Sequence, residues 1–298
     1  IPVSELALTG LIDKPLTLEQ LMNASMIKAS NPEDIPLEKL AHNLNKYSFA
    51  LIRGIIDSNA INESKKKIHN LYNPDNDRPA TGEDPSEILQ NYQKLSIGGA
   101  EHTGVYRPRC MRTFYNPIWD KDIYGLRDSF IKTAQVRNLI YGFNIDYAIK
   151  SEQDNFWTAS RIHNYPSGGG FLIAHKDNIV PIVQKSAGIS SYFQPVLIMS
   201  KKGKDKDCDF ESGGGFFELN DIRYYYEEFC ELGDIVIYSG ATVHGVGDID
   251  LHKTFDNRSL GGRFSGFVTI YKKFLKKNEL GKYQSKIKKA NSINTMKK

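Results

Sequence analysis

A chain of 298 residues, 40% hydrophobic and 25% charged, can bury one large core and has the balance of an ordinary globular protein. Its net charge of +4 gathers toward the C-terminus, in Lys272-Lys273, Lys276-Lys277 and the lysines of 286–298; with no recognition motif beside it, this reads as a solvated tail and predicts no nucleic-acid partner. Cys110, Cys208 and Cys230 are odd in number and widely spaced, which excludes a disulfide framework and fits a cytoplasmic protein, and no apolar run is long enough to span a membrane.

Through residue 150 the text is mixed and mainly helical. The segment from Pro36 to Leu44 places apolar residues at 37, 40, 41 and 44, the spacing of an amphipathic helix. Phe49-Ala50-Leu51-Ile52-Arg53-Gly54 is a short apolar run closed by glycine and predicts a buried strand. Asp57-Ser58 then opens a second helix through Ile68 to Leu71, with Asp57 or Ser58 as its N-cap. Residues 74–104, rich in Asn, Asp, Pro and Gly, predict one long loop with the character of a lid. Between Tyr106 and Pro117, Arg107, Arg109 and Arg112 are interleaved with aromatics. Two uses are open for them: lining a pocket that selects an anion, or forming a solvated edge whose Arg stems cover aromatic surface. A long helix is expected over 123–141.

From Phe156 the texture changes. Short β-branched and aromatic runs (158–163, 179–184, 191–199, 215–219, 234–238 and 263–271) alternate with Gly, Pro, Asn and Asp. Such intervals predict a sandwich, a barrel or a jelly roll. We read one domain over 1–298, with a mixed helical layer and lid over 1–150, a β core over 151–275 and a basic tail over 276–298.

The β core holds the chemistry. Gly168-Gly169-Gly170 leads through Phe171-Leu172-Ile173-Ala174 to His175-Lys176-Asp177. Side chains two apart on an extended segment point the same way, so His175 and Asp177 can face one metal. A third ligand, His244, follows 67 positions after Asp177, at the end of another strand-like run. Two imidazoles and a carboxylate on one face suit Fe(II) and leave coordination positions open for a 2-oxo acid and O2. Such a co-substrate needs an anchor for its distal carboxylate, and a guanidinium fork provides one. Arg263 lies 19 positions beyond His244 on the last good strand, and Ser265 shares its face; Arg258, 14 positions on, is the competitor. His163 is read as a hydrogen-bonded structural residue, and Tyr224-Tyr225-Tyr226 as packing. The glycine triplets at 168–170 and 213–215 lack a following Lys-Ser/Thr and are not phosphate loops.

In this ordered pattern the segment 156–271 resembles the iron- and 2-oxoglutarate-dependent dioxygenase superfamily, nearest to its isopenicillin-N-synthase-like branch. The likeness rests on Tyr165-Pro166 before the metal and on His175-x-Asp177 followed by an apolar strand and Gln184. Gly233-Asp234-Ile235-Val236 before His244, and Arg263-x-Ser265, complete it. The resemblance implies a double-stranded β-helix, iron on His175, Asp177 and His244, and 2-oxoglutarate held by Arg263, Ser265 and Tyr165. The implied reaction is hydroxylation of an unactivated C–H bond of a small molecule, with release of succinate and CO2. Asp177 speaks against the halogenating branch, which has Gly or Ala there. Two other classes use the same text: a non-catalytic jelly-roll binding protein, and a cupin-type metalloenzyme that does not use 2-oxoglutarate.

Overall fold

The computed structural model describes residues 3, 15–77, 88–89, 91–97, 108–151, 153–177, 185, 187–189 and 191–272. The run 179–184, His102, Arg107 and the basic tail 276–298 lie outside them, as does most of the expected lid.

Local chemistry sets the ends of the early elements. Helix α1 (Leu18–Ser25) starts from a reciprocal cap in which the Thr17 hydroxyl accepts from the Gln20 N–H and Gln20 Oε1 accepts from the Thr17 N–H. It runs into β1 (Met26–Lys28). Helix α2 (Leu37–Tyr47) follows Pro36 and ends at Ser48, whose φ of 52° turns the chain into β2 (Phe49–Arg53). Helix α3 (Ser58–Leu71) is capped by Asp57, whose carboxylate accepts from the Asn59 N–H at 2.9 Å.

Strands β3 (Gln93–Ile97) and β4 (Pro108–Tyr115) form an antiparallel pair. The stretch expected to be one loop therefore contains a strand, because Gln93 to Ile97 finds a ladder partner that its composition does not announce. Helix α4 (Arg127–Tyr141) begins four residues later than the expected start at Ile123. Asp122 Oδ1 accepts from the N–H groups of Leu126 and Arg127 and fixes a turn ahead of the helix.

The remaining strands are β5 (Phe156–Pro166), β6 (Phe171–His175), β7 (Phe193–Ile198), β8 (Gly214–Leu219), β9 (Ile222–Tyr225), β10 (Ile235–Ser239), β11 (His244–Gly247) and β12 (Gly262–Lys272). Their pairing is continuous, and it turns at β4, which pairs with both β5 and β6, into two facing sheets: β1-β2-β10-β7-β12-β5 and β6-β11-β8-β9. Successive strands from β5 to β12 are thus dealt between the sheets in the order of a double-stranded β-helix, a jelly-roll core with flanking helices.

Period-two alternation explains the continuous apolar runs. Phe49 and Leu51 of β2, Val196 and Ile198 of β7, and Val236 and Tyr238 of β10 point into a core shared with Phe217 of β8. Their neighbours Ala50, Ile52, Leu197, Ile235 and Ile237 point the other way, under α2, α3 and α4. Both faces of these strands are covered, so the runs are apolar at both parities, with Gln194 of β7, which lines the cavity, as the exception. Phe49 and Phe217 stack at 4.5 Å between ring centroids and clamp the sheets together. No helix among the described residues is long and apolar enough to cross a membrane, and the three cysteines are unpaired.

Candidate active site

The site lies where the two sheets open. Strands β6 and β11 pair antiparallel with His175 directly opposite His244, so one rung carries both imidazoles on the same face. Their rings stand 4.3 Å apart between centroids. Asp177 follows β6 by two residues, and its N–H donates to the Gly240 carbonyl at 2.8 Å, which brings the carboxylate back to the pair. Asp177 Oδ2 is 3.5 Å from His244 Nε2, and one donor atom from each of the three residues lies within 4.8 Å of the others.

Each imidazole is oriented by its own strand. His175 Nδ1 donates to the Ile173 carbonyl at 2.7 Å, and His244 Nδ1 donates to the Thr242 carbonyl at 2.8 Å. A carbonyl can only accept, so the ring proton sits on Nδ1 and the Nε2 lone pair remains for a metal. Burial lowers both rings to about 4, His175 with help from neighbouring His244. At neutral pH both are unprotonated. Two neutral nitrogens and one carboxylate oxygen are the donor set expected of a ferrous centre, and the residues fit it.

The three residues share a cavity of about 290 Å³ with Arg263, Tyr165, Tyr226 and Tyr238. Arg263, on β12, is fully buried and anchored on several sides. Its Nε meets both oxygens of Glu227 at 2.8 and 2.9 Å, its Nη1 donates to Ser265 Oγ at 2.9 Å, and its Nη2 lies 3.4 Å from the Tyr226 hydroxyl. Burial works against the guanidinium's charge, but Glu227 and Tyr226 outweigh it and hold the group above its ordinary value. Burial pushes the Tyr165 phenol up to about 12 and raises Tyr238 well above its ordinary range, so both keep their protons. Neither hydroxyl has a hydrogen-bond partner among the described residues. A cation beside two unengaged phenol donors, in the cavity of the His-Asp-His group, fits the distal carboxylate of a 2-oxo acid.

The predicted residues are thus sorted. His175, Asp177, His244, Arg263 and Tyr165 line one cavity. Ser265 is buried behind Arg263 and supports it without lining the cavity. Arg258 is exposed and pairs with Asp75 at 3.2 Å on the surface, away from the cavity. His163 does line it, half-buried, and desolvation with Arg161 and Arg263 holds it well below its ordinary value; its Nε2 accepts from Arg161 Nε at 3.1 Å. Arg112 answers to neither use open to its segment. It is buried away from the cavity, donating to Asp77 at 3.1 Å and to the Ser259 carbonyl at 3.1 Å over the Tyr72 ring.

Sequence reasoning missed Arg161, Tyr226, Glu227 and Tyr238. Arg161 was within reach, since 161, 163 and 165 alternate on one strand toward the metal. Tyr226 packs in the inner core, as its run suggested, and also touches Arg263. Glu227 carried no local signal.

No family model and no curated protein matches the chain. Among solved structures it is similar to a prolyl hydroxylase from Trichoplax adhaerens, solved in complex with a hypoxia inducible factor oxygen degradation domain peptide fragment. The TM-score is 0.46 at 13% identity, over 78% of this chain and 86% of that one. A prolyl-4-hydroxylase from Pseudomonas putida gives 0.42 at 12% identity, over 78% and 97%. An oxidoreductase of the 2OG-Fe(II) oxygenase family from Burkholderia pseudomallei gives 0.38 at 10% identity, over 77% and 88%. These likenesses are distant, and the jelly-roll assignment stands on the strand pairing itself.

Proposed function

We propose that the protein is an Fe(II)- and 2-oxoglutarate-dependent oxygenase that hydroxylates an unactivated C–H bond of a small molecule, releasing succinate and CO2. The observation that carries this reading is the His175, Asp177 and His244 cluster, facing the same cavity as Arg263 and two phenols without partners. Bound iron would supply dioxygen activation coupled to oxidative decarboxylation of the 2-oxo acid. The chain's own contribution is positional. The Ile173 and Thr242 carbonyls fix both imidazole tautomers, and the Gly240 carbonyl steers Asp177. Arg263 and the Tyr165 and Tyr238 hydroxyls would orient the co-substrate's distal carboxylate. Leu172, Val246 and Phe267 give the cavity apolar walls that exclude water. The Tyr165-Pro166, Gly233-Asp234 and Arg263-x-Ser265 texts support an isopenicillin-N-synthase-like arrangement.

The direct test is succinate formation from 2-oxoglutarate with Fe(II) and O2 across a panel of small-molecule substrates. Turnover is expected in the wild type, with a loss of about 10³-fold or more in His175→Ala. Equal succinate from both proteins would sink the proposal.

A further inference from the structure

A buried guanidinium needs a counter-charge, and Arg263 has one built in. Glu227 stands on the 3-10 turn Tyr226–Glu228 and is 2% exposed. Besides its two contacts to Arg263 Nε, its Oε2 accepts from the Gly215 N–H at 2.6 Å. Position 215 must lack a side chain for this: a Cβ there would stand 2.1 Å from the Tyr226 hydroxyl and 2.9 Å from Arg263 Nη2. A guanidinium has five N–H groups. Glu227, Ser265 and Tyr226 engage one each on Nε, Nη1 and Nη2, which leaves one on each Nη of a residue that lines the cavity.

We propose that Glu227 is a resident counter-anion that positions Arg263 and weakens its hold on the distal carboxylate of 2-oxoglutarate. The inference rests on the co-substrate reading given above. The arriving carboxylate becomes the second anion on one cation. It is attracted by the guanidinium and repelled by Glu227. At separations of roughly 5–7 Å and an effective dielectric of about 20, that repulsion corresponds to about 50- to 300-fold in affinity before solvent screening reduces it. Before the co-substrate binds, the pair is neutral as a unit, which removes the penalty of a lone buried charge.

The experiment is calorimetric titration of the Mn(II)-loaded full chain with 2-oxoglutarate and with 2-oxopentanoate, which lacks the distal carboxylate. Glu227→Gln is expected to bind 2-oxoglutarate at least about ten-fold tighter and 2-oxopentanoate unchanged. Its own melting temperature should fall by roughly 5–10 °C. Loss of packing alone would weaken both ligands. Arg263→Gln leaves Glu227 facing the ligand and should lose more 2-oxoglutarate affinity than the double variant Glu227→Gln/Arg263→Gln, in which neither charge remains. Unimproved binding in Glu227→Gln overturns the proposal. Should that variant not fold, a double variant no better than Arg263→Gln overturns it equally. A wild type that binds neither oxo acid overturns the co-substrate reading itself, and this proposal with it.

Discussion

A methyl group at position 240 would lie 2.4 Å from Cδ1 of Tyr192 and 3.0 Å from Oδ2 of Asp177. The Gly240 carbonyl also holds the Asp177 N–H, so the loop cannot simply back away from the carboxylate. Gly240→Ala should therefore lower Mn(II) affinity by about 10- to 100-fold with the fold intact, as displacing an orienting neighbour of a metal ligand does. Equilibrium dialysis beside a far-UV spectrum would check it; unchanged affinity would mean that Tyr192 yields instead. At this scale legibility followed what the local text records. His175 and Asp177 could be paired because two positions on an extended segment share a direction. Arg263 could be preferred to Arg258 because a strand is more rigid than a turn. Glu227, 36 positions from Arg263 and on another element, could not be found, because nothing in its own neighbourhood records the charge it answers.

Between elements, two motifs read separately prove to be one contact. Arg53 closes β2, and Asp234 sits just before β10, the antiparallel neighbour of β2. Arg53 Nε and Nη2 reach Asp234 at 2.9 and 2.7 Å, while Nη1 meets Glu231 at 2.8 Å. Asp234 is buried, and it also accepts from the Glu231 N–H at 2.8 Å. Asp234→Asn should cost about 2–3 kcal/mol, because it leaves a partly buried guanidinium short of its partner. Urea denaturation with an unchanged m-value would show this, and a loss under about 0.5 kcal/mol would reduce the pair to a surface contact. Strand cores such as 49–53, 235–238 and 263–271 were readable from apolar runs. Strand β3 was not, because its residues owe their extended form to β4 and not to their own preference.

For the molecule as a whole, the jelly roll was only one of three architectures that the β texture allowed, since texture does not say which strands pair. Its stability should nevertheless depend on pH in a way the site dictates. Both imidazoles are held at about 4 against an ordinary 6.5. Between those values the unfolded chain takes up protons that the folded chain refuses, so stability present above pH 6.5 is lost as pH falls toward 4. The limit is about 3 kcal/mol for each ring. Chelator-treated protein should melt progressively lower through that window, while His175→Gln/His244→Gln should give a flatter profile. Parallel profiles would mean that other groups govern the acid limb. The shared rung of β6 and β11 has a consequence for assembly. Strand side chains alternate in direction, so a β6–β11 pairing slipped by one position would send one imidazole to the opposite face of its sheet. Misaligned chains could not offer both nitrogens to a divalent ion. A cation present during synthesis would thus act as a gauge of alignment, rewarding only the correctly zipped ladder.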